Sequence, residues 1–241
     1  MSGGPATGRV ALHGGGEFLA GDEPFLEALL ATVSQRPVKV AIVPVAAARS
    51  RPDIAVHHGR QAFEAVAHQI ELELEVDEVL VVHRESAFDE TIAARLARSN
   101  LIHLPGGDPD LVPGTLAGTT AWQAILDALG HGATLAGASA GAMGLADRTW
   151  TPRGWIDGLG LVHGLIVVPH FRGFDTRGWE GAVDELRRAN LGQLGLDERT
   201  GVISGPGLAG EWLVAGEGEA HWFSSAGERT SGKHGDHLAL A

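Results

Sequence analysis

No cysteine occurs among the 241 residues. Disulfides, thiolate metal sites and a cysteine nucleophile are therefore excluded, and cysteine usage leaves the redox compartment open. Basic residues are scarce: 18 Lys and Arg stand against 30 Asp and Glu, a formal charge of −12. A surface of that sign repels phosphate backbones and anionic lipid, so neither nucleic acid nor a membrane is an expected partner. Long apolar runs are missing too, and none reaches the roughly 18–20 residues that span a bilayer. The opening MSGGPATG is small and polar, with no apolar stretch behind a positive charge, and does not read as a signal peptide. The expectation is a cytoplasmic protein. Repeats, low-complexity blocks and linkers are also absent, and the chain reads as a single domain over 1–241 with a loose, polar tail from 224 to 241.

What is present alternates. Arg9–His13 reads as a strand running into Gly14-Gly15-Gly16. Val38–Val45 is an almost unbroken apolar run of the kind buried on both faces of a parallel sheet. Further strands are expected at Val79–Val82, Leu101–Leu104, Ala133–Gly137 and Leu165–Val168. Helices are expected at Arg60–Gln69, Phe88–Arg98, Ala121–Leu129 and Thr176–Ala189. Short strands at Val202–Ile203, Trp212–Val214 and Ala220–Phe223, separated by Gly-rich turns, suggest a small antiparallel meander at one side of the sheet. The pattern predicts an α/β three-layer sandwich: a mainly parallel central sheet flanked by helices, with a small antiparallel C-terminal extension.

The sharpest local signal is Gly137-Ala138-Ser139-Ala140-Gly141, a G-x-S-x-G pattern with a strand before it and a helix after it. A nucleophile on so tight a turn needs small neighbours, because bulky ones would collide. The turn lifts the Ser139 hydroxyl to the carboxyl end of the sheet, where α/β folds place their sites. It also brings the N–H of Ala140, at the start of a helix, towards a developing oxyanion. In a chain with 35 glycines the five-residue pattern alone also fits a plain turn, and the flanking strand and helix favour the nucleophile. A second turn, Pro105-Gly106-Gly107-Asp108-Pro109, closes the strand Leu101–Leu104 and offers the Gly107 N–H as the other oxyanion donor.

Together these motifs resemble the peptidase E (aspartyl dipeptidase) and cyanophycinase family of serine peptidases, which carry a class I glutamine-amidotransferase-like fold with serine in place of cysteine. The resemblance rests on the order and spacing of five pieces. They are Gly14-Gly15-Gly16-Glu17, Gly106-Gly107-Asp108, the elbow, Pro169-His170-Phe171 and Gly195-Leu196-Asp197-Glu198. It implies a Ser-His-Glu triad: Ser139 as nucleophile, His170 as general base and Glu198 as the acid that orients His170. Asp147 and Asp157, between Ser139 and His170, remain alternatives for the acid. A serine hydroxyl is inert near neutral pH without an adjacent imidazole, and the imidazole needs a carboxylate to fix its tautomer. No metal or other cofactor is expected. His57-His58 and His234 with His237 lack a third ligand at suitable spacing and read as solvated.

For the substrate, the resemblance implies a small peptide beginning with aspartate, cleaved as a dipeptide. Asp175-Thr176-Arg177 resembles, with a shorter connection after His170, the segment that holds the aspartyl side chain in peptidase E, and a guanidinium suits a planar carboxylate. Arg177 fits a solvated residue in the first turn of a helix equally well, and the DTRGWEGAV stretch departs from both branches of the family, which leaves a third specificity open. Asp108 and Glu17 are the other candidate substrate-binding residues. Cyanophycinases cut β-aspartyl-arginine units instead. Pro109 and Val167-Val168 depart from their pattern, whereas Leu196-Asp197-Glu198-Arg199-Thr200 is nearer to it. A homodimer is compatible with the sequence. Two other readings stay open. In an α/β-hydrolase esterase, His13-Gly14-Gly15-Gly16 would be the oxyanion segment and His221 the base. A non-catalytic module would keep the fold and bind acidic peptides.

Overall fold

The computed structural model describes residues 8–173 and 189–240. The order of elements explains the alternation seen in the sequence. The strand β1 (Arg9–His13) leads through a Gly-rich turn to α1 (Glu23–Ala31), followed by β2 (Val38–Ile42), α2 (Pro52–Gln69) and β3 (Leu74–Glu78). Next come α3 (Glu90–Leu96), β4 (Leu101–Leu104), α4 (Leu111–Leu116), α5 (Thr120–Gly130), β5 (Thr134–Ala138) and α6 (Ala140–Leu145). Beyond the elbow lie β6 (Arg148–Thr151), β7 (Gly154–Asp157), β8 (Leu165–Val168), β9 (Gly192–Leu196), β10 (Thr200–Ile203) and β11 (Trp212–Gly216). The chain ends with β12 (Glu219–Phe223), β13 (Arg229–Lys233) and β14 (His237–Leu238). The helix expected over Thr176–Ala189, and Arg177 with it, lies almost wholly outside the described residues.

The main sheet has eight strands in the order β14-β11-β10-β1-β5-β4-β2-β3. From β1 to β3 every pairing is parallel, and from β1 outward through β10, β11 and β14 every pairing is antiparallel. Strand periodicity splits the core in two. Val10 and Leu12 pack on one face with Ile125 of α5 and Leu116 of α4, while Ala11 packs on the other with Leu29 of α1 and Phe63 of α2. Each Leu or Phe so completely buried contributes about 1.5–3 kcal/mol. The expected three-layer architecture is therefore present. Among the described residues no helix is long and apolar enough to cross a membrane.

The C-terminal third departs from a simple meander. A second sheet, β13-β12-β9-β8, takes two consecutive pairs of strands, with β8 parallel to β9 and the rest antiparallel. After β9 the chain enters the main sheet for β10 and β11, returns to the second sheet for β12 and β13, and ends in the main sheet with β14. The tail expected to be loose is built in: β13 pairs with β12, and β14 pairs with β11 through Trp212↔Leu238. Burial of Leu238 at 5% exposure anchors this otherwise polar segment.

The strand expected at Val79–Val82 is displaced to Leu74–Glu78. This edge strand is polar because its carboxylates are paired by neighbouring cations, Asp77 with Arg95 and Glu78 with Arg60. Arg95 holds the Asp77 carboxyl below its ordinary value. After it, Val79 and Val81 are fully buried but leave the ladder.

Candidate active site

The carboxyl end of β1 organises the site. Three successive carbonyls, those of His13, Gly14 and Gly15, accept the backbone N–H groups of Ser139, His170 and Arg199 at 2.9, 2.8 and 2.7 Å. One short stretch of backbone thus fixes the turn after β5, the turn after β8 and the turn after β9. Each turn carries one of the predicted site residues, since Glu198 immediately precedes Arg199.

Those turns are conformationally costly. Ser139 lies at φ 49, ψ −114, and His170 and Arg199 also have positive φ, at 52 and 53. Such conformations cost on the order of 1–3 kcal/mol each for residues other than glycine and persist where surrounding contacts over-determine them. The three hydrogen bonds from β1 are such contacts. At the elbow, a Cβ on Gly141 would fall 2.1 Å from the Leu104 carbonyl oxygen, so the helix α6 can approach β4 only without a side chain there.

The side chains form a line. Ser139 Oγ is 3.2 Å from His170 Nε2, and His170 Nδ1 is 2.8 Å from Glu198 Oε1. With the ring proton donated from Nδ1 to Glu198, Nε2 is free to accept the serine hydroxyl proton. Both His170 and Glu198 are roughly half exposed. The alternative acids are elsewhere. Asp147 pairs with His163 at 2.9 Å and accepts the Gly164 N–H, and Asp157 is exposed in β7.

The two turns assigned to the oxyanion flank Ser139. Ala140 opens α6, so its N–H has no acceptor within the helix. Gly107 is exposed at φ 149, and a Cβ there would sit 2.1 Å from the Ala46 carbonyl oxygen. Its neighbour Asp108 donates its own N–H to that same carbonyl at 2.8 Å, and its carboxylate is 3.6 Å from Arg49. Glu17 Oε1 accepts the Gly106 N–H at 2.7 Å.

Residues to which the sequence assigned no bracing role hold this arrangement. The His13 side chain, 1% exposed, accepts the Gly15 N–H on Nδ1 at 3.2 Å, and its Nε2 lies 2.9 Å from Asp22, also 1% exposed. Asp22 in turn accepts the Phe18 N–H at 2.9 Å. A buried imidazole and carboxylate therefore brace the Gly-rich turn from beneath. Arg172 spans to Asp197 at 3.0 Å and to Glu219 at 3.1 Å, tying the turn after His170 to the turn before Glu198. Lys233 and Arg172 beside Glu219 hold its carboxyl below the ordinary value. Neither Asp22 nor Arg172 lies in a sequence motif, and His13 is marked only as the start of the His13-Gly14-Gly15-Gly16 run.

His13-Gly14-Gly15-Gly16 is not arranged as the esterase reading expects, since the N–H groups of Gly14 and Gly15 are already donated to the Thr200 carbonyl at 2.8 Å and to His13 Nδ1 at 3.2 Å. His221 belongs to β12 in the second sheet, its ring 4.8 Å from that of Phe171.

A serine on a strained elbow, bonded to an imidazole that is bonded to a carboxylate, is the constellation of a serine hydrolase. Comparison with known proteins narrows the class. The model of peptidase family S51 matches residues 10–203, and the chain belongs to that family of serine peptidases. Among solved structures, the chain is similar to a peptidase from an acI-B1 Actinobacterium, at 26% identity over 98% of both chains with a TM-score of 0.79. A protein from Listeria monocytogenes EGD-e, provisionally named peptidase E, shares the fold at 16% identity and a TM-score of 0.59, over 88% of this chain and 99% of its own. No curated protein matches the sequence.

Proposed function

We propose that this peptidase hydrolyses small aspartyl peptides, Asp-X dipeptides foremost, through an acyl-enzyme on Ser139. The observation that carries the reading is the unbroken line from Ser139 Oγ through His170 to Glu198, with 3.2 and 2.8 Å steps. Ser139 Oγ attacks the scissile carbonyl carbon as His170 Nε2 takes its proton. Glu198 stabilises the resulting imidazolium, and the N–H groups of Gly107 and Ala140 bind the oxyanion. On collapse, the carbon–nitrogen bond breaks and His170 returns the proton to the leaving amine. Water, deprotonated by the same imidazole, then cleaves the ester.

Aspartyl selectivity is assigned to Arg177 on the resemblance of Asp175-Thr176-Arg177 to the aspartate-holding segment of peptidase E, and the guanidiniums bordering the described site are already engaged. Arg49 is paired with Asp110 and Asp108, Arg172 with Asp197 and Glu219, and Arg199 with Glu217. One observation favours a second reading, a β-aspartyl peptide with a basic residue. A cleft of about 390 Å³ beside His170 is lined by Asp197, Glu198 and Glu217 against Arg172 and Arg199, an excess of carboxylate.

The test is hydrolysis of an Asp-X dipeptide panel beside β-Asp-Arg by the wild type and Ser139→Ala. Cleavage of Asp-X that vanishes in the variant supports the proposal. Cleavage of β-Asp-Arg alone selects the second reading, and unchanged turnover by Ser139→Ala rejects the mechanism.

A further inference from the structure

Glu17 stands beside the nucleophile without a cation. It follows the three glycines that end β1, is half-buried, and gives Oε1 to the Gly106 N–H at 2.7 Å. The point a Cβ on Gly106 would occupy lies 2.9 Å from Glu17 Oε1 and 3.1 Å from Ser139 Cβ. Carboxylate and nucleophile therefore flank one small volume, within a single residue's reach of each other. Among the described residues no Arg, Lys or His forms an ion pair with Glu17, in contrast to Asp108, Asp110, Asp197 and Glu217 around it. One oxygen is committed to Gly106, and the other has no hydrogen-bond partner among those residues.

A peptide whose carbonyl carbon is attacked by Ser139 Oγ carries its α-nitrogen two bonds from that carbon. If the attacked carbonyl belongs to the N-terminal residue, the nitrogen is an ammonium, with donors that suit an unpaired carboxylate. If it belongs to an internal residue, the nitrogen is an amide that brings one N–H, no charge and a further acyl group into the same confined space.

Resting on the peptidase reading above, we infer that Glu17 receives the α-ammonium of the substrate's N-terminal residue and so confines cleavage to the first peptide bond. The same carboxylate holds Gly106, whose neighbour Gly107 supplies an oxyanion donor. Amine binding and the setting of the oxyanion turn are thereby joined in one side chain. The selection is for a free N-terminus, whatever side chain that residue carries.

The experiment uses a mixed dipeptide library, free or Nα-acetylated, with turnover followed by mass spectrometry, on wild type, Glu17→Gln and Glu17→Ala. Fluorophosphonate labelling of Ser139 is measured in parallel. The wild type should favour free amines by on the order of 10–100-fold in kcat/KM, as expected for a charged hydrogen-bonding anchor. Glu17→Gln keeps an oxygen for the Gly106 N–H, so Ser139 should still label while the preference falls to a few-fold, chiefly through KM. Glu17→Ala should lose the preference and label more slowly. A wild type indifferent to acetylation, or a Glu17→Gln protein that keeps the full preference, overturns the inference. Absence of labelling in the wild type overturns the Ser139 reading itself, and the assignment of Glu17 with it.

Discussion

Replacing Gly15 by alanine tests whether the end of β1 positions His170, the proposed base. A Cβ at Gly15 would lie 2.4 Å from Cε1 and 2.6 Å from Nε2 of His170. Carbon atoms in van der Waals contact rest at about 3.5–4.0 Å, so the ring must retreat by roughly 1 Å or more. The bond from Ser139 to Nε2 is already 3.2 Å, and such a retreat takes it beyond hydrogen-bonding range. Misplacement on this scale costs on the order of 10²-fold in rate. Alanine at φ 98 adds backbone strain of about 1–2 kcal/mol, which lowers stability without touching the chemistry. Gly16→Ala separates the two effects. Gly16 also has positive φ, at 71, but its added Cβ would meet nothing nearer than Glu198 Cβ at 3.3 Å. Both variants should lose similar stability in urea. Only Gly15→Ala should lose 100-fold or more in the second-order rate of fluorophosphonate labelling, with Gly16→Ala within about tenfold of wild type. Labelling of Gly15→Ala at the wild-type rate, or equal loss in both, would refute the reasoning.

Two further outcomes are expected. Glu198→Gln should lower kcat by roughly 10²–10⁴-fold with little change in KM, since an amide cannot stabilise the imidazolium, and steady-state kinetics across pH would check this. His103 is completely buried against Phe18 and Phe63, and burial, aided by His13, pushes its pKa down to about 3. Below pH 6.5 the unfolded chain takes up a proton that the folded protein refuses, so stability falls as pH falls towards 3. Between pH 7 and pH 5 this amounts to about 2 kcal/mol, and His103→Leu should remove that much of the slope in urea titrations. Parallel pH profiles for the two proteins would contradict it.

How legible the molecule was depended on what kind of information each part used. The parallel strands β1, β2, β4 and β5 declared themselves because burial on both faces leaves unbroken apolar runs. The elbow at Ser139 and the turn at Gly106-Gly107 were visible because close backbone approach requires small residues at fixed offsets. The edge strand β3 was misplaced because its charges are matched by Arg60 and Arg95, residues distant in sequence. The hairpin of β6 and β7, α1, and the strands β9, β13 and β14 went unread. In β9 and β13 glycine and polar residues dilute the alternation, and their strand state comes from partners in a second sheet. Pairing of His170 with Glu198 was available only through family resemblance, since residues 28 positions apart have no local signature. The roles of Asp22 and Arg172 had no signal at all.

The same contrast explains why a Gly-rich turn ends β1. The proposed triad, drawn from three separate turns, needs a common reference, or small independent motions of each turn would break its two hydrogen bonds. Side chains are poor references, because rotamers move. The main chain at the end of a central strand buried from Val10 to His13 is a good one, and His13, Gly14 and Gly15 present three consecutive carbonyls to the three turns. To serve three turns at once, that backbone must lie directly under the imidazole, which leaves no room for a Cβ at Gly15. It must also stay rigid despite having no side chains of its own. The buried His13 and Asp22 meet that need, because among the described residues the His13 ring makes its polar contacts with the turn it precedes and with the carboxylate that closes it. The glycines are then a consequence of where the His170 ring stands, and the two buried polar residues are a consequence of the glycines.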